Sequence, residues 1–109
     1  MILVDVQRNK HGGIEVFTMS GHADSGPYGY DLVCAAASAV SFGAVNAVAE
    51  LCNVYMDTEM KDGGGFLRCQ LPGIQEEATY EKVQWLLEGM LVSMRSIEEQ
   101  YSQFIRIES

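Results

Sequence analysis

The chain has 109 residues, 15 of them acidic and 7 basic, which gives a formal net charge of −8 at pH 7. A chain of this length is expected to form a single domain over residues 1–109, because it can build one hydrophobic core but not two. The acidic charge argues against direct nucleic-acid binding, which requires clustered Lys and Arg, and favours a basic partner that long-range electrostatics would attract.

The chain begins with a predicted β-hairpin. Apolar residues alternate with more polar neighbours over residues 2–6, and a second extended segment, Ile14–Ser20, follows a turn at residues 9–13. The second strand ends at Gly21 and His22. The hairpin therefore places an imidazole at the end of a strand.

A long apolar helix is predicted from Leu32 to Leu51. Asp31 precedes it directly, and aspartate is a favoured N-cap because its carboxylate accepts a hydrogen bond from a first-turn amide. Alanines and aliphatic residues leave little of the helix circumference polar, so we expect it to be buried nearly all round. A chain this small has few layers to cover such a helix. We therefore expect a second subunit to help bury it, or the sheet edges of two subunits to pair.

A second hairpin is predicted after this helix. Residues 54–61 alternate in character, a glycine-rich turn follows at residues 62–65, and residues 66–71 form the returning strand, which a Pro-Gly pair ends. One face of the first of these strands is predicted to consist of Val54, Met56, Thr58 and Met60.

The last helix has the clearest amphipathic pattern and is predicted to pack one face on the sheet. The tail at residues 104–107 either extends this helix or adds a short strand, and the pattern does not distinguish the two. The predicted fold is α+β, a two-layer β-β-α-β-β-α arrangement with a mainly antiparallel four-stranded sheet and two helices. The apolar face of the last helix comprises Val83, Leu86, Leu87, Met90, Met94, Ile97 and Tyr101.

Cysteine use and hydropathy favour the cytoplasm. The three cysteines lack CxxC spacing, which argues against a disulfide framework and a structural zinc site. Cys52, at the end of the first helix, and Cys69, at an inward strand position, are interpreted as small hydrophobic residues. The N-terminal MILVDVQ is too short for a signal peptide, and no apolar run approaches about 20 residues without polar interruption. We therefore expect a cytoplasmic protein with no membrane span, no metal and no cofactor.

Cys34 and His22 are candidate residues for nucleophilic catalysis. Cys34 is the third residue of the predicted helix, where the helix dipole and unpaired amides favour a thiolate. His22 lies twelve positions earlier, and the intervening loop can fold its imidazole back towards the sulfur. Ionised Asp31 opposes the thiolate unless its charge is used by the helix amides or by orienting His22, and both alternatives remain open.

A narrow polar stripe runs along the predicted helix, because Asp31, Cys34, Ser38 and Ser41 recur at three- and four-residue spacing. Ser38 lies one turn beyond Cys34. Its hydroxyl could bind the thiolate, hold His22 or position a substrate carbonyl. It could equally bond back to the carbonyl of Cys34, as mid-helix serines commonly do.

The segment between the two candidate residues, at positions 24–30, combines two glycines, a proline and two tyrosines. Glycines provide mobility, and tyrosines offer large amphipathic surfaces to a peptide. One hypothesis is a lid that orders over an extended substrate and brings His22 and Cys34 into register; the other is an ordinary connector. The candidate substrate-binding residues of this loop are Gly26, Tyr28, Gly29 and Tyr30.

These motif residues resemble the signature of a known family. GHA at residues 21–23 is followed, after the short loop, by DLVCAA at residues 31–36 and by Ser38. Together with the chain length, the order of elements and the acidic C-terminal helix, this pattern resembles the Prp family of ribosomal-processing cysteine proteases, also known as YsxB-like proteins. The resemblance covers essentially the whole chain.

The resemblance implies a homodimeric cysteine protease that removes a short N-terminal extension from ribosomal protein number twenty-seven of the large subunit before ribosome assembly. It implies that Cys34 is the nucleophile and that His22 is its general base and acid, while Gly21, Asp31 and Ser38 match supporting positions. It also implies apolar or aromatic residues next to the cleavage site. In such a mechanism we expect the backbone amide of Cys34, alone or with a neighbouring group, to stabilise the oxyanion.

Two other functions remain open from the residues alone. A non-enzymatic ribosome-assembly factor would bind a basic ribosomal protein, with Cys34 a buried helix residue and His22 a hydrogen-bonding group at a strand end. A thiol enzyme acting on a small acyl or amide substrate would use the same two residues for a different ligand.

Overall fold

Two helices cover one face of a mixed β-sheet in the computed structural model, which describes residues 1–22 and 31–109. The buried core joins strand residues such as Val4 and Phe17 to helix residues such as Val48 and Leu87, which confirms the predicted α+β architecture of two layers. In chain order the elements are β1 (Ile2–Arg8), β2 (Ile14–Ser20), α1 (Leu32–Cys52), β3 (Asp57–Met60), β4 (Phe66–Gln70), α2 (Glu77–Gln100) and β5 (Ile105–Glu108).

Within residues 1–22 and 31–109 the sheet has five strands in the order β3-β4-β2-β1-β5, one more than predicted. β1–β2, β2–β4 and β3–β4 are antiparallel, whereas β5 pairs in parallel with β1 and places Ile105 opposite Ile2. The extra strand forms because the chain leaves α2 at Tyr101 and then alternates apolar and polar residues along the edge of β1. The C-terminal tail is thus a short strand, which was one of the two predicted alternatives.

β3 is shorter and more exposed than predicted. The strand covers Asp57–Met60, and all four of its residues are exposed. Val54 and Met56, which precede it, are buried as expected, but Thr58 and Met60 do not continue their buried face. β3 lies at the edge of the sheet, where the helix layer does not cover it.

α1 begins and ends close to the predicted residues, but its burial differs. Asp31 is its N-cap, and Asn53 ends it in a left-handed conformation. Only Val33, Ala37, Ser41 and Val48 are buried, so the expectation of burial nearly all round is wrong for the single chain. One side of the helix contacts the sheet and α2, whereas Leu32, at 72% exposure, marks an uncovered side.

α1 differs from the expectation that the chain has no apolar segment long enough to span a membrane. By length and composition alone, this helix of 21 residues, which contains an 18-residue window with a mean hydropathy of 1.8, is apolar enough to cross a bilayer. In the fold it instead packs part of its surface in the core, where Val33 and Val48 are among the most buried residues. Core helices and membrane helices share this composition, so length and hydropathy do not separate them.

α2 carries most of its predicted apolar face into the core. Val83, Leu87, Met90 and Met94 are buried, and Leu91, outside the predicted face, is buried beside them. Tyr101 was placed on that face by its spacing, but it follows the end of the helix and is 41% exposed. The face therefore ends one turn earlier than its periodicity predicts.

Candidate active site

Four of the sequence-predicted site residues line one open pocket of about 230 Å³. Gly21 and His22 reach it from the end of β2, and Cys34 and Ser38 reach it from the first two turns of α1. Three residues of the turn between β3 and β4, Lys61, Gly64 and Gly65, close a third side. The structure therefore brings the predicted thiol and imidazole together from two separate elements.

Gly21 is required by the path of the backbone between β2 and the pocket. Its φ of +87° lies in the left-handed region, and a Cβ built on it would meet the carbonyl oxygen of Met1. Its N–H donates to the carbonyl oxygen of Gly65 at 2.9 Å. A side chain at residue 21 would disturb the backbone that carries His22, so the structure gives a steric reason for a glycine at this position.

The imidazole of His22 lies against the glycines of the β3–β4 turn. A Cβ added to Gly65 would stand 2.8 Å from Nε2 of His22, and one added to Gly64 would stand 4.0 Å from Cε1. The sequence interpretation treated these glycines only as turn residues. Their separation from His22 along the chain left no local signal of this contact.

Asp31 uses its carboxylate at the start of α1. Its Oδ1 accepts a hydrogen bond from the backbone N–H of Cys34 at 2.9 Å, which confirms the predicted N-cap. The carboxylate was predicted either to bind the helix amides or to orient His22, and this geometry corresponds to the first alternative. Asp31 does not line the pocket.

The same bond competes with the expected oxyanion site. The backbone amide of Cys34 was expected to donate to the oxyanion, but in this structure it donates to Asp31. One N–H makes one strong hydrogen bond, so the Cys34 amide serves an oxyanion only if the Asp31 carboxylate releases it. The capping of α1 and the stabilisation of an oxyanion compete for this donor.

The two serines of the polar stripe have different surroundings. The buried hydroxyl of Ser41 donates to the carbonyl oxygen of Ala37 at 2.9 Å, the usual habit of a mid-helix serine. Ser38 lines the pocket, and among the described residues its hydroxyl makes no bond to the Cys34 carbonyl. The structure does not show the predicted alternative bond from Ser38 to the carbonyl of Cys34, and the roles of Ser38 towards the thiolate, His22 or substrate remain predictions.

The walls of the pocket are largely apolar, and the sequence interpretation did not assign them to the site. Phe42 lies one turn beyond Ser38 on the same face of α1, so extending the stripe from Cys34 could have found it. Lys61 places its Nζ 4.9 Å from the centre of the Phe66 ring. The apolar lining residues are Ile2, Met19, Phe42, Met60, Phe66 and Leu67.

The three cysteines differ in accessibility. Cys69 is fully buried, and burial raises the pKa of its thiol, while a hydrogen bond with Thr58 lowers it by less. Cys52 is half-buried and packs against the core. Both behave as the small hydrophobic residues predicted, and Cys34 is the cysteine that lines the pocket.

Two further expectations concern the surroundings of the site. The candidate substrate-binding residues Gly26, Tyr28, Gly29 and Tyr30 lie outside the residues that the structure describes. Within residues 1–22 and 31–109, no group of three or more His, Cys, Asp or Glu side chains is placed to hold a metal ion.

Comparisons with known proteins agree with the geometry. The family model described as cysteine protease Prp matches residues 1–106. The chain is similar to the ribosomal processing cysteine protease Prp of Staphylococcus aureus strain NCTC 8325, with 41% identity over 98% of this chain and 97% of the relative. It is also similar to the protein of the same name from Bacillus subtilis strain 168, with 38% identity over 98% of this chain and 96% of the relative.

Solved structures show the same similarity. The S. aureus protease Prp in complex with a covalently linked product peptide matches with a TM-score of 0.90 and 41% identity, over 99% of this chain and 98% of that chain. The same protease in complex with a substrate peptide matches with a TM-score of 0.83 and 40% identity, over the same shares of the two chains. The fold around the pocket is therefore shared with proteins that bind peptides.

Proposed function

Because the chain belongs to the cysteine protease Prp family and is itself a cysteine protease, we propose that it cleaves an extended ribosomal protein with Cys34 as nucleophile and His22 as general base and acid. The proposed substrate is ribosomal protein number twenty-seven of the large subunit, whose N-terminal extension is removed before ribosome assembly. The non-enzymatic assembly factor has no support from the relatives, which are named as proteases.

One observation carries this proposal: Cys34 and His22 line the same pocket although they come from different elements. A cysteine nucleophile needs a base close to its sulfur, and that base must also reach the leaving group. A buried structural cysteine would need neither an adjacent imidazole nor an opening to solvent. Cys34 opens to a pocket that His22 also lines, whereas Cys69 is enclosed in the core.

The proposed reaction is acyl transfer in two steps. His22 takes the thiol proton of Cys34, and the sulfur attacks the scissile carbonyl carbon to form a tetrahedral oxyanion. The C–N bond then breaks, the leaving amine receives the proton from His22, and the extension remains on Cys34 as a thioester. In the second step His22 removes a proton from water, which attacks the thioester carbonyl. The C–S bond then breaks, the extension leaves as a carboxylic acid, and the proton on His22 returns to the sulfur of Cys34.

The oxyanion requires a hydrogen-bond donor besides the capped amide of Cys34. Ser38 lines the pocket one turn along α1, and its hydroxyl is a suitable donor in that place. We therefore assign Ser38 to the substrate carbonyl or its oxyanion. Asp31 supports the site indirectly, because its hydrogen bond fixes the turn of α1 that holds Cys34.

The pocket and the net charge support the proposed substrate class. The apolar walls, which include Phe42 and Phe66, fit an apolar or aromatic side chain next to the cleavage site. The net charge of −8 attracts a basic ribosomal protein and raises its rate of encounter. Complexes of the S. aureus relative with substrate and product peptides support the choice of a peptide ligand.

We further propose that the protease is a cytoplasmic homodimer. Free thiols such as Cys34 remain reduced in the cytoplasm, where ribosomal proteins are made. The uncovered side of α1 carries apolar residues, including Leu32 and Ala39, that a second copy would remove from water. No part of this function requires direct contact with nucleic acid or with a membrane.

The proposal is tested by incubating the protein with the extended ribosomal protein and measuring the masses of the products. Two fragments are expected from the wild type and none from the Cys34→Ala variant. Binding without cleavage by the wild type would favour an assembly factor, and cleavage of small acyl substrates alone would favour a different thiol enzyme. A Cys52→Ala variant is the matched control, because it removes a half-buried thiol that does not line the pocket.

A further inference from the structure

We propose that Gly65 is a positioning residue for His22, and this inference rests on the proposed catalytic role of His22. Gly65 is the last residue of the β3–β4 turn and lies directly against the imidazole. A Cβ built on Gly65 would stand 2.8 Å from Nε2, 3.4 Å from Cε1 and 3.5 Å from Cδ2 of His22. Three ring atoms therefore occupy the space that any other side chain at residue 65 would need.

The backbone holds the two residues in this arrangement. Ser20 on β2 pairs with Phe66 on β4, and one position further the N–H of Gly21 donates to the carbonyl oxygen of Gly65 at 2.9 Å. The peptide that leads into His22 is thus tied to the residue on which the ring rests. A shift of the turn and a shift of the imidazole are mechanically coupled.

The contact leaves little freedom for the ring on that side. His22 must reach both the sulfur of Cys34 and the leaving amine, so its position affects each proton transfer. A displacement of about 1 Å in such a group can lower the rate on the order of 100-fold. The absence of a side chain at Gly65 therefore allows the imidazole of His22, the proposed general base, to occupy its position in the pocket.

The turn provides its own matched controls. Gly63, Gly64 and Gly65 all have positive φ angles, +84°, +83° and +80°, so alanine meets a similar backbone strain at each position. Their distances to His22 differ. A Cβ on Gly63 meets nothing within 4 Å, one on Gly64 only approaches Cε1 at 4.0 Å, and one on Gly65 collides with the ring.

The test compares kcat and KM for Gly63→Ala, Gly64→Ala and Gly65→Ala with the extended ribosomal protein as substrate. Gly65→Ala is expected to lower kcat by about tenfold or more and to change KM by less than about twofold, because the base moves while the apolar pocket walls formed by Phe42 and Phe66 remain. Gly63→Ala is expected to keep the wild-type kcat. Equal kcat values for all three variants would overturn the proposal.

A second measurement keeps the inference separate from the protease function. In the wild-type protein, nuclear Overhauser effects are expected between the α protons of Gly65 and the ring protons of His22. Their absence would overturn the proposal even if the Gly65→Ala variant does not fold. Their presence in a protein that cleaves no substrate would support the positioning of His22 and refute the proposed function.

Discussion

At the scale of single residues, burial distinguishes the thiol of Cys34 from that of Cys69. Cys69 has no exposed surface, and burial raises the pKa of its thiol, whereas Cys34 opens to the pocket. Iodoacetamide is therefore expected to alkylate Cys34 in the folded protein at least about tenfold faster than Cys69, because reaction requires an accessible thiolate. Peptide mass spectrometry after timed labelling measures both rates.

Unfolding provides the control for this comparison. In denaturant the burial of Cys69 is lost, and both thiols are expected to react at similar rates. Equal labelling of Cys34 and Cys69 in the folded protein would contradict the placement of the two cysteines.

The N-cap of α1 could be predicted from the sequence because it is a local contact. Asp31 accepts a hydrogen bond from the amide of Cys34, which lies only three positions further along the chain.

At the scale of elements, an ion pair connects β1 to α2. The guanidinium of Arg8 donates to both carboxylate oxygens of Glu88, at 3.1 and 2.8 Å. This hydrogen bonding holds the pKa of Glu88 below its ordinary value. The side chains are 32% and 43% exposed, so solvent screens the pair and its contribution to stability is about 1 kcal/mol or less.

The lowered pKa of Glu88 gives the pH dependence of this contribution. A carboxyl group whose pKa is lower in the folded state adds stability above its unfolded pKa, about 4.3, and loses it as pH falls through the folded pKa. Glu88→Gln is therefore expected to lower the free energy of unfolding at pH 7 by about 0.5 kcal/mol and to have no effect at the acidic end. Urea unfolding at several pH values measures the difference.

Glu81→Gln is the matched control, because Glu81 is an exposed carboxylate on the same helix. It is expected to leave stability unchanged at both ends of the pH range. If Glu88→Gln still lowered the free energy of unfolding at a pH below the pKa of Glu88 in the folded protein, the ion pair with Arg8 would not be the cause of the effect. The comparison isolates the ion pair from the general effect of removing one negative charge from α2.

The helices could be predicted from local sequence patterns, whereas the last strand could not. α1 was predictable from its N-cap Asp31 and its run of apolar residues, and α2 from its apolar periodicity, because these are local features of the chain. β5 was not, since its strand character depends on the edge of β1, at the opposite end of the chain. A parallel partner of this kind leaves no turn signal to identify it.

At the scale of the whole molecule, the uncovered side of α1 is the expected contact between two copies. Ala39 is exposed in the middle of this side, which is lined by small and apolar residues. Analytical ultracentrifugation is expected to give twice the mass of one chain for the wild type and the mass of a single chain for Ala39→Arg. The guanidinium would have to be buried in the contact with no opposite charge beside it, which is unfavourable.

Ala78→Arg is the control for this variant, because Ala78 is exposed at the start of α2. It is expected to remain dimeric. An Ala39→Arg protein that stays dimeric would contradict the contact through α1 and favour the other alternative, pairing between sheet edges. A wild type that sediments as a single chain would contradict the homodimer itself.

The pocket as a whole depends on contacts that no local pattern contains. His22 and Cys34 were predictable as a pair from the motif, but Gly65 and Phe66 approach them only through the pairing of β4 with β2. Gly65 has no functional group, and the sequence of its turn does not distinguish it from Gly63 or Gly64. Only the three-dimensional structure shows that it lies against the imidazole of His22. The motif therefore predicted which candidate residues meet in the pocket, whereas the residues of its walls could be identified only from the three-dimensional structure.

The most direct test of catalysis by Cys34 is intact-mass spectrometry of a reaction stopped in acid within its first turnover. A thioester intermediate adds the mass of the N-terminal extension to the enzyme, and digestion is expected to locate this mass on the peptide that contains Cys34. The Cys34→Ala protein is expected to show neither the adduct nor the cleaved ribosomal protein. Continued cleavage by Cys34→Ala, or an adduct on another residue, would contradict catalysis through this thiol.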